Sequence, residues 1–357
     1  MSLKDSKTGV IKDSVSKLNL YKKSNQHWII PLYLEYKKYK KITTSLSDKF
    51  LKHVNPMTGR IHSQYWQIQA TGRISSSNPN LQNIPASNEF RNCFTLKGKY
   101  IITADYSSQE ARVVADVAKE KTMIEFFNSS NNPDIHSFVA SKMFSIPIEE
   151  VTPEIRNKGK KTNFTLLYGG GVHKLVDEFN ISKKEAFEMI QFYFTAFPTL
   201  KKFFTKKYEE TILNGYILID NIIKRKYFLS PEVFFLMKLI YRYNSYKWEV
   251  PKILSTTLNR ELSSIERKCS NYPIQGLSGT MTKLGGILFR RFLIERNLIS
   301  SVEIINMVHD EIVVLCTDNH KDLIMNKLKE CMEKAGKYLV KQVNIPVTIE
   351  INEHWKK

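Results

Sequence analysis

The sequence predicts an α+β protein, and three observations carry that prediction. Val302 to Met307 and Ile312 to Cys316 are β-branched apolar runs around a short polar interruption, which is the pattern of a β-hairpin. Tyr100 to Ala104 is a third apolar run; Asp105 follows it directly, and then Ser108 to Ala118 places Ala111, Val114, Ala115 and Ala118 on one helical side. Thr152-Pro153-Glu154 and Ser182-Lys183-Lys184-Glu185 are helix starts, the first with Pro at the opening position and the second a capping box.

The 357 residues exceed one small domain and suggest one large lobe or two or three small ones. With 42% hydrophobic residues the chain can bury a sizeable core. Lys plus Arg is 54 against 35 for Asp plus Glu, a net charge of +19. Such an excess repels itself and favours a polyanionic partner, nucleic acid first and an anionic membrane surface second. No stretch is apolar enough to span a bilayer, so no membrane partner is expected. Cys93, Cys269, Cys316 and Cys331 form no Cys-x-x-Cys pair, which disfavours zinc ribbons and redox motifs and fits a reducing compartment. The N-terminus lacks a signal peptide's apolar core, and a cytoplasmic location, bacterial or in a phage-infected host, is expected.

Taken in order, residues 1 to about 27 are polar and Lys-rich and are expected to be weakly ordered. Trp28 to Leu51 is helical in pattern and is expected to break at Pro31; its alternating tyrosines and lysines read either as a DNA-tracking face or as a solvated basic helix with an aromatic core stripe. His53 to Pro85 is loop-rich, with Arg73, Gln82 and Asn83 offering contacts to sugar, phosphate and base edges. Asp105 falls at a strand-to-helix junction, where a carboxylate is as often a helix cap as a functional group. Asp134 opens a helix that carries His136. Thr152 opens one that runs to Tyr168 and stops at Gly169-Gly170-Gly171.

On that helix Arg156, Lys160, Phe164 and Tyr168 recur every fourth residue and stack along one face. Two cations followed by two aromatics suit a nucleotide, phosphates at one end and base at the other; a charged start leading into an apolar core is the bland alternative. A hairpin is expected over Tyr216 to Leu229, turning near Asp220-Asn221. Ser230 to Leu258 is aromatic and reads as irregular. Glu261 to Ser270 reads as a helix broken by Asn271-Tyr272-Pro273-Ile274-Gln275-Gly276, with a new helix from Thr280 to Asn297. After the hairpin come a helix from Lys321 to Tyr338 and a strand near Pro346 to Ile351. Asp310 and Glu311 stand at or beside the hairpin tip, either as a polar turn or as a carboxylate pair that a cation such as Mg²⁺ would meet.

These pieces together resemble the polymerase portion of family A DNA polymerases, from about Leu32 to Trp355. Ala104-Asp105-Tyr106-Ser107-Ser108-Gln109-Glu110-Ala111-Arg112 looks like the first palm motif. Arg156 to Gly169, with Lys160, Asn163, Phe164 and Tyr168, looks like the fingers helix, and Val308-His309-Asp310-Glu311 like the second palm motif. Thr71-Gly72-Arg73 with Asn80-Leu81-Gln82-Asn83-Ile84-Pro85 resembles the segment that grips primer-template.

The resemblance implies a right-hand fold with an antiparallel-sheet palm and helical fingers, and template-directed DNA synthesis by two-metal phosphoryl transfer. Expected boundaries are 1–42 (N-terminal segment and remnant of a thumb base), 43–134 (first palm part), 135–229 (fingers), 230–258 (an insertion of unassigned role) and 259–357 (second palm part). Asp105, Asp310 and the Tyr106 carbonyl would hold two Mg²⁺ ions, with Glu311 assisting. Arg156, Lys160 and His136 would meet the triphosphate, and Lys160 could protonate the pyrophosphate. Phe164 would pack on sugar and base, Tyr168 would stack near the template base, and Glu110 would exclude a ribose hydroxyl. Arg73, Gln82, Asn83, Arg267, Asn271, Gln275 and His309 would contact the DNA, several of them at minor-groove acceptors shared by all correct pairs.

The departures from the family pattern are Ser108-Gln109, where Gln and then an apolar residue are usual, and Thr165, where Gly is common. No counterpart of the exonuclease lobe and little of the thumb is found in the sequence; a separate polypeptide supplying both is the expected partner, beside primer-template and deoxynucleoside triphosphates. Lys, Asn and Ile content suggests an AT-rich genome, and the short, rearranged architecture suits a phage-type source. The alternatives are a repair or translesion enzyme of the same fold, an RNA-making enzyme, and a non-catalytic DNA-binding or scaffolding subunit. Glu110 argues against RNA synthesis, and the intact Asp105, Asp310, Arg156 and Lys160 against a scaffold.

Overall fold

The computed structural model describes residues 2–4, 11–13, 27–46, 48–85, 87–129, 134–220, 222–246 and 252–356. Contacts divide the chain into two compact units, Met1–Gln64 with Ser77–Asn80, and Tyr65–Ser76 with Leu81–Lys357. Most of residues 1–27, for which weak order was expected, lie outside the described residues.

In the first unit β1 (Ser2–Lys4) pairs antiparallel with β2 (Ile11–Asp13). Helix α1 (Ile29–Leu46) runs through Pro31 without a break and is followed by α2 (Asp48–Leu51). The expected break fails because Pro31 lies in the first turn, where its missing N–H has no intrahelical partner to lose. Ile30 and Leu34 are buried, while Tyr36 and Tyr39 are exposed and covered by Lys40 and Lys38 at 5.5 and 5.8 Å from their ring centres. An aromatic core stripe is therefore not what those two tyrosines make.

The second unit is built on a four-stranded antiparallel sheet. It comprises β3 (Tyr100–Tyr106), β6 (Val302–Val308), β7 (Glu311–Cys316) and β8 (Val347–Asn352), in the order β8-β3-β7-β6. Ile102, Ala104 and Tyr106 of β3 and Ile312, Val314 and Cys316 of β7 point into one large core. Against that face lie α12 (Lys252–Glu295) and α13 (Lys321–Leu339), with Met281, Phe289, Leu328 and Met332 in the same core. The Tyr106 hydroxyl donates to the Met332 carbonyl at 2.8 Å, which satisfies the one polar atom of that buried ring. The three apolar runs are strands as expected, and β7 is buried along its whole length.

Short α3 (Asn88–Arg91) precedes the sheet, and α4 (Gln109–Val117) and α5 (Lys121–Ser129) leave it. A helical lobe follows: α6 (Ile135–Phe144), α7 (Pro153–Leu167), α8 (Val172–Phe179), α9 (Lys183–Ala196) and α10 (Pro198–Asn214). The expected caps are present. Thr152 accepts from the Ile155 N–H, and Ser182 and Glu185 form the reciprocal capping box. The hairpin β4 (Tyr216–Leu218) and β5 (Lys226–Phe228) turns at Asp220, whose Oδ1 accepts from the N–H groups of Ile222 and Ile223.

Two expectations are corrected here. Ser230 to Leu258 is not irregular: α11 (Pro231–Tyr246) and the start of α12 occupy it, with residues 247–251 outside the described set. Nor does Asn271 to Gly276 break a helix, since α12 is continuous for 44 residues with Pro273 inside it. Pro273 removes one helical hydrogen bond. It is buried, however, and its neighbours Ile274 and Leu277 belong to the main core, so packing keeps the helix continuous across a residue whose local preference opposes it.

Candidate active site

The sheet brings the two candidate carboxylates together. Asp105 is the next-to-last residue of β3 and pairs in register with Glu311, the first residue of β7. His309 and Asp310 form the two-residue turn between β6 and β7, with His309 at φ 55°. The Tyr106 N–H donates to the Asp310 carbonyl at 3.4 Å, so main chain ties the end of β3 to that turn. Asp105 and Asp310 are both half-buried. The helix-cap reading of Asp105 falls, because α4 starts at Gln109 with Ser108 at its cap position. Asp310 stands at the tip and Glu311 directly beside it, as expected, but Glu311 is a fully buried strand residue whose Oε1 accepts from Trp355 Nε1 at 2.8 Å and whose Oε2 lies 3.6 Å from Arg91 Nη1.

Among the described residues no group of three or more His, Cys, Asp or Glu could hold a metal. A centre with two carboxylates, and a neighbouring main-chain carbonyl at Tyr106, does not suit zinc or calcium. It suits Mg²⁺, which takes one or two carboxylates and fills its shell with water and substrate phosphate oxygens.

Helix α7 carries the second half of the site. Lys160 is exposed and Arg156 half-buried. Phe164 and Tyr168 stack with ring centres 5.9 Å apart, and the His136 ring lies 5.6 Å from Phe164. Arg156 grips Asp134 with two hydrogen bonds, 2.6 and 3.1 Å. Partial burial pushes the Asp134 carboxyl up, but hydrogen bonds from Arg156 and Ser137 outweigh it and hold it at about 2. Burial, then Arg156, depress His136 to about 4, with Lys160 adding to the effect and Asp134 opposing it. His136 is thus neutral at pH 7, beside Lys160 and an Arg156 that is already paired with Asp134.

Gly159 lets α7 lie this close to α6. A Cβ there would come within 2.7 Å of both the Ala140 Cβ and the His136 carbonyl. Asn163 is buried and accepts from the Tyr193 hydroxyl at 2.8 Å, which fixes α7 on α9.

The two halves meet at Glu110. Its carboxylate accepts from the Tyr168 hydroxyl on one oxygen and from Arg73 on the other. Burial and the Glu110 charge push the Tyr168 hydroxyl well above the usual phenol range. Arg267, Asn271 and Gln275 lie four residues apart on the unbroken α12, hence on one face; Arg267 is exposed and the other two half-buried. Gln82 donates to the Met307 carbonyl of β6 at 2.8 Å, and Asn83 and His309 are exposed. A cavity of about 930 Å³ opens beside this face, lined by Phe164, Tyr168, Gly169 and Arg267 among others.

The departures from the family pattern have local partners. Gln109 is buried and donates to the Ser278 carbonyl and Thr282 Oγ1 of α12, both at 3.3 Å. The Thr165 methyl fills the space a Cβ on Gly170 would need, at 2.6 Å, which accounts for the extra glycine beside it. Arg91, Asp134 and Trp355 carried no signal as site residues. Asp134 was legible only as a helix opener, and Arg91 and Trp355 lie in stretches without periodicity.

Two carboxylates at the end of an antiparallel sheet, joined through Glu110 to a cationic and aromatic helix, make an α+β fold of the kind the resemblance implies. The model of DNA polymerase family A matches residues 1–357, and the chain belongs to that family. DNA polymerase I of Caldicellulosiruptor bescii is 34% identical over 358 residues, covering 98% of this chain and 38% of the relative. That of Geobacillus stearothermophilus is 31% identical over 360 residues (99% and 37%). The thermostable enzyme of Thermus aquaticus is 30% identical over 358 residues (99% and 39%). The chain therefore spans about two fifths of the length of these relatives. Among solved structures, the polymerase domain of Pol1 from M. smegmatis, in complex with DNA primer-template and dNTP, superposes with a TM-score of 0.82 at 28% identity. It covers 99% of this chain and 57% of that one. These relatives are bacterial, and the phage-type expectation is not borne out.

Proposed function

We propose that the chain extends a primer 3′-hydroxyl along a DNA template with deoxynucleoside triphosphates. The observation that carries this is the joining of the Asp105–Asp310 end of the sheet to the α7 face through Glu110 and Tyr168. In this reading Asp105, Asp310 and the Tyr106 carbonyl would hold two Mg²⁺ ions, whose chemistry there would be to lower the pKa of the 3′-hydroxyl and neutralise charge on the triphosphate. Arg156, Lys160 and His136 bind and orient the phosphates, with Lys160 placed to give a proton to the departing pyrophosphate. Phe164 and Tyr168 pack against the base pair, and Glu110 fills the space under the sugar where a ribose hydroxyl would sit. Arg73, Gln82, Asn83, Arg267, Asn271, Gln275 and His309 line the duplex side. The strand-and-helix core serves as palm, and α6 to α10 serve as fingers. A cytoplasmic setting, with a thumb- and exonuclease-bearing polypeptide as partner, belongs to the same proposal.

The test is primer extension with Mg²⁺ and four deoxynucleotides, beside Asp310→Ala. Extension that disappears in the variant supports the reading. Equal DNA binding by both proteins, with no extension by either even after addition of the partner polypeptide, favours a scaffolding role and overturns it. Strong salt sensitivity of extension by the chain alone is expected, since binding then rests on phosphate contacts.

A further inference from the structure

We propose that Arg91 and Trp355 are positioning residues for the Asp105–Asp310 centre, acting through Glu311. The inference rests on the polymerase reading above and adds two residues to it. Asp105 and Glu311 are register partners in the β3–β7 ladder, so their side chains leave the sheet on the same face. Like charges directly opposite one another destabilise a sheet. Glu311 is nevertheless fully buried, and it is managed from the side away from the core helices.

Trp355 Nε1 donates to one carboxylate oxygen at 2.8 Å, and Arg91 faces the other at 3.6 Å. The Arg91 guanidinium carbon lies 4.2 Å from the centre of the Trp355 ring, a cation–π contact, and both residues are buried. The ring supports the cation, the cation neutralises the carboxylate, and the indole N–H decides which way the carboxylate faces.

Trp355 is brought there by the chain beyond β8, which crosses the sheet face as a strap. The Trp355 N–H donates to the Phe94 carbonyl at 2.9 Å, Thr95 Oγ1 to the Glu353 carbonyl at 2.6 Å, and Thr103 Oγ1 to the Lys356 carbonyl at 3.3 Å. The Phe94 ring meets Trp355 edge-on at 5.6 Å.

Stability alone does not call for this trio. A buried ion pair often does no better than apolar residues of the same volume, and Arg91 leaves Nε and Nη1 buried without a hydrogen-bond partner. Its position gives the reason. Neutralised and turned toward Trp355, Glu311 neither repels Asp105 nor competes with it for a cation. Without Arg91 or the indole N–H, a third carboxylate would be loose beside the pair that is to hold Mg²⁺.

The experiment titrates Mn²⁺, as a spectroscopic probe of the divalent site, into the full chain with primer-template and follows it by electron paramagnetic resonance. The Mg²⁺ dependence of extension is measured in parallel. The variants are Trp355→Phe, which keeps the ring and loses the N–H, Arg91→Met, which loses the charge, and Arg91→Lys, which keeps it. We expect Trp355→Phe and Arg91→Met to weaken Mn²⁺ binding about tenfold. They should raise half-saturating Mg²⁺ and lower kcat, leaving KM for the nucleotide and Kd for DNA unchanged, with Arg91→Lys largely restoring the wild type.

Unchanged Mn²⁺ binding and Mg²⁺ dependence, with only a lower melting temperature, would overturn the proposal and leave the trio a packing element. If Arg91→Met fails to fold, Glu311→Gln with Arg91→Met decides. Removing the carboxylate charge must restore folding and Mn²⁺ affinity together; restoration of folding alone sinks the idea. The Mn²⁺ titration needs no turnover. Absence of extension by the wild type even with the partner polypeptide added therefore counts against the polymerase reading, whereas a wild-type Mn²⁺ site insensitive to these substitutions counts against this inference.

Discussion

The two halves of the site are held by different means. At the carboxylate end the main chain does the placing: Asp105 sits in a ladder with Glu311, and the Tyr106 N–H reaches the Asp310 carbonyl. Moving these residues means slipping the register, which would turn every side chain of the strand to the other face. On α7 the placing is done by side chains spaced along one helix, and its links are exchangeable hydrogen bonds, Arg156 to Asp134 and Tyr168 to Glu110. On the proposed reading a triphosphate would compete for Arg156, and a base pair would displace Tyr168. The comparison teaches that, on the proposed reading, the chemistry would sit on the half held by main chain and the substrate would be met by the half held by exchangeable side-chain contacts.

The largest effect should come from the rigid half. Asp310→Ala is expected to lower kcat for extension about a thousandfold, roughly 4 kcal/mol in the barrier, with the melting curve preserved because the turn is held by main chain. Unfolding of this variant would break the comparison.

On the mobile half, Lys160→Ala should lower kcat/KM for the nucleotide about a hundredfold with stability unchanged, since the side chain is exposed. Single-turnover kinetics beside a melting curve would check both parts. A loss of stability would show that α7 is braced by Lys160.

Where the halves join, Glu110→Ala should cut discrimination against ribonucleotides about tenfold, as competition between the two sugar types would measure. The same change frees Tyr168 and Arg73 of their shared acceptor. Unaltered discrimination would mean that Glu110 serves only as the link.

The smallest effect concerns protons. His136 is depressed to about 4 in the fold, so the unfolded chain binds more protons below its ordinary value. Its share of stability is present above about pH 6.5 and is lost as pH falls toward 4, at most about 1 kcal/mol once its partial exposure is discounted. Denaturant unfolding of His136→Gln against wild type should show a flatter pH dependence in that window, and an unchanged slope would remove His136 from the electrostatics of α7.

Much of this was legible beforehand because it depends on neighbours in sequence. The caps at Thr152 and Ser182 and the fourth-residue spacing of Arg156, Lys160, Phe164 and Tyr168 are local matters, and the structure keeps them. So are the strands around Asp105 and the Asp310 hairpin, whose β-branched apolar runs are read directly from residue type. The sequence by itself determined an α+β chain with two carboxylates at strand ends and a cationic, aromatic helix.

Tertiary structure decided whatever required distant residues. Pro273 lies inside a 44-residue helix because core packing outweighs one lost hydrogen bond, and that continuity puts Arg267, Asn271 and Gln275 on one face. Glu311, beside the tip, can be buried as a strand residue because Arg91 and Trp355 arrive from segments 220 and 44 positions away to neutralise it. Glu110 joins the halves because Arg73 and Tyr168 converge on it from opposite directions. A side chain's charge and shape are written in the sequence. What it costs to bury that side chain, and which partner offsets the cost, exist only once the chain has closed on itself.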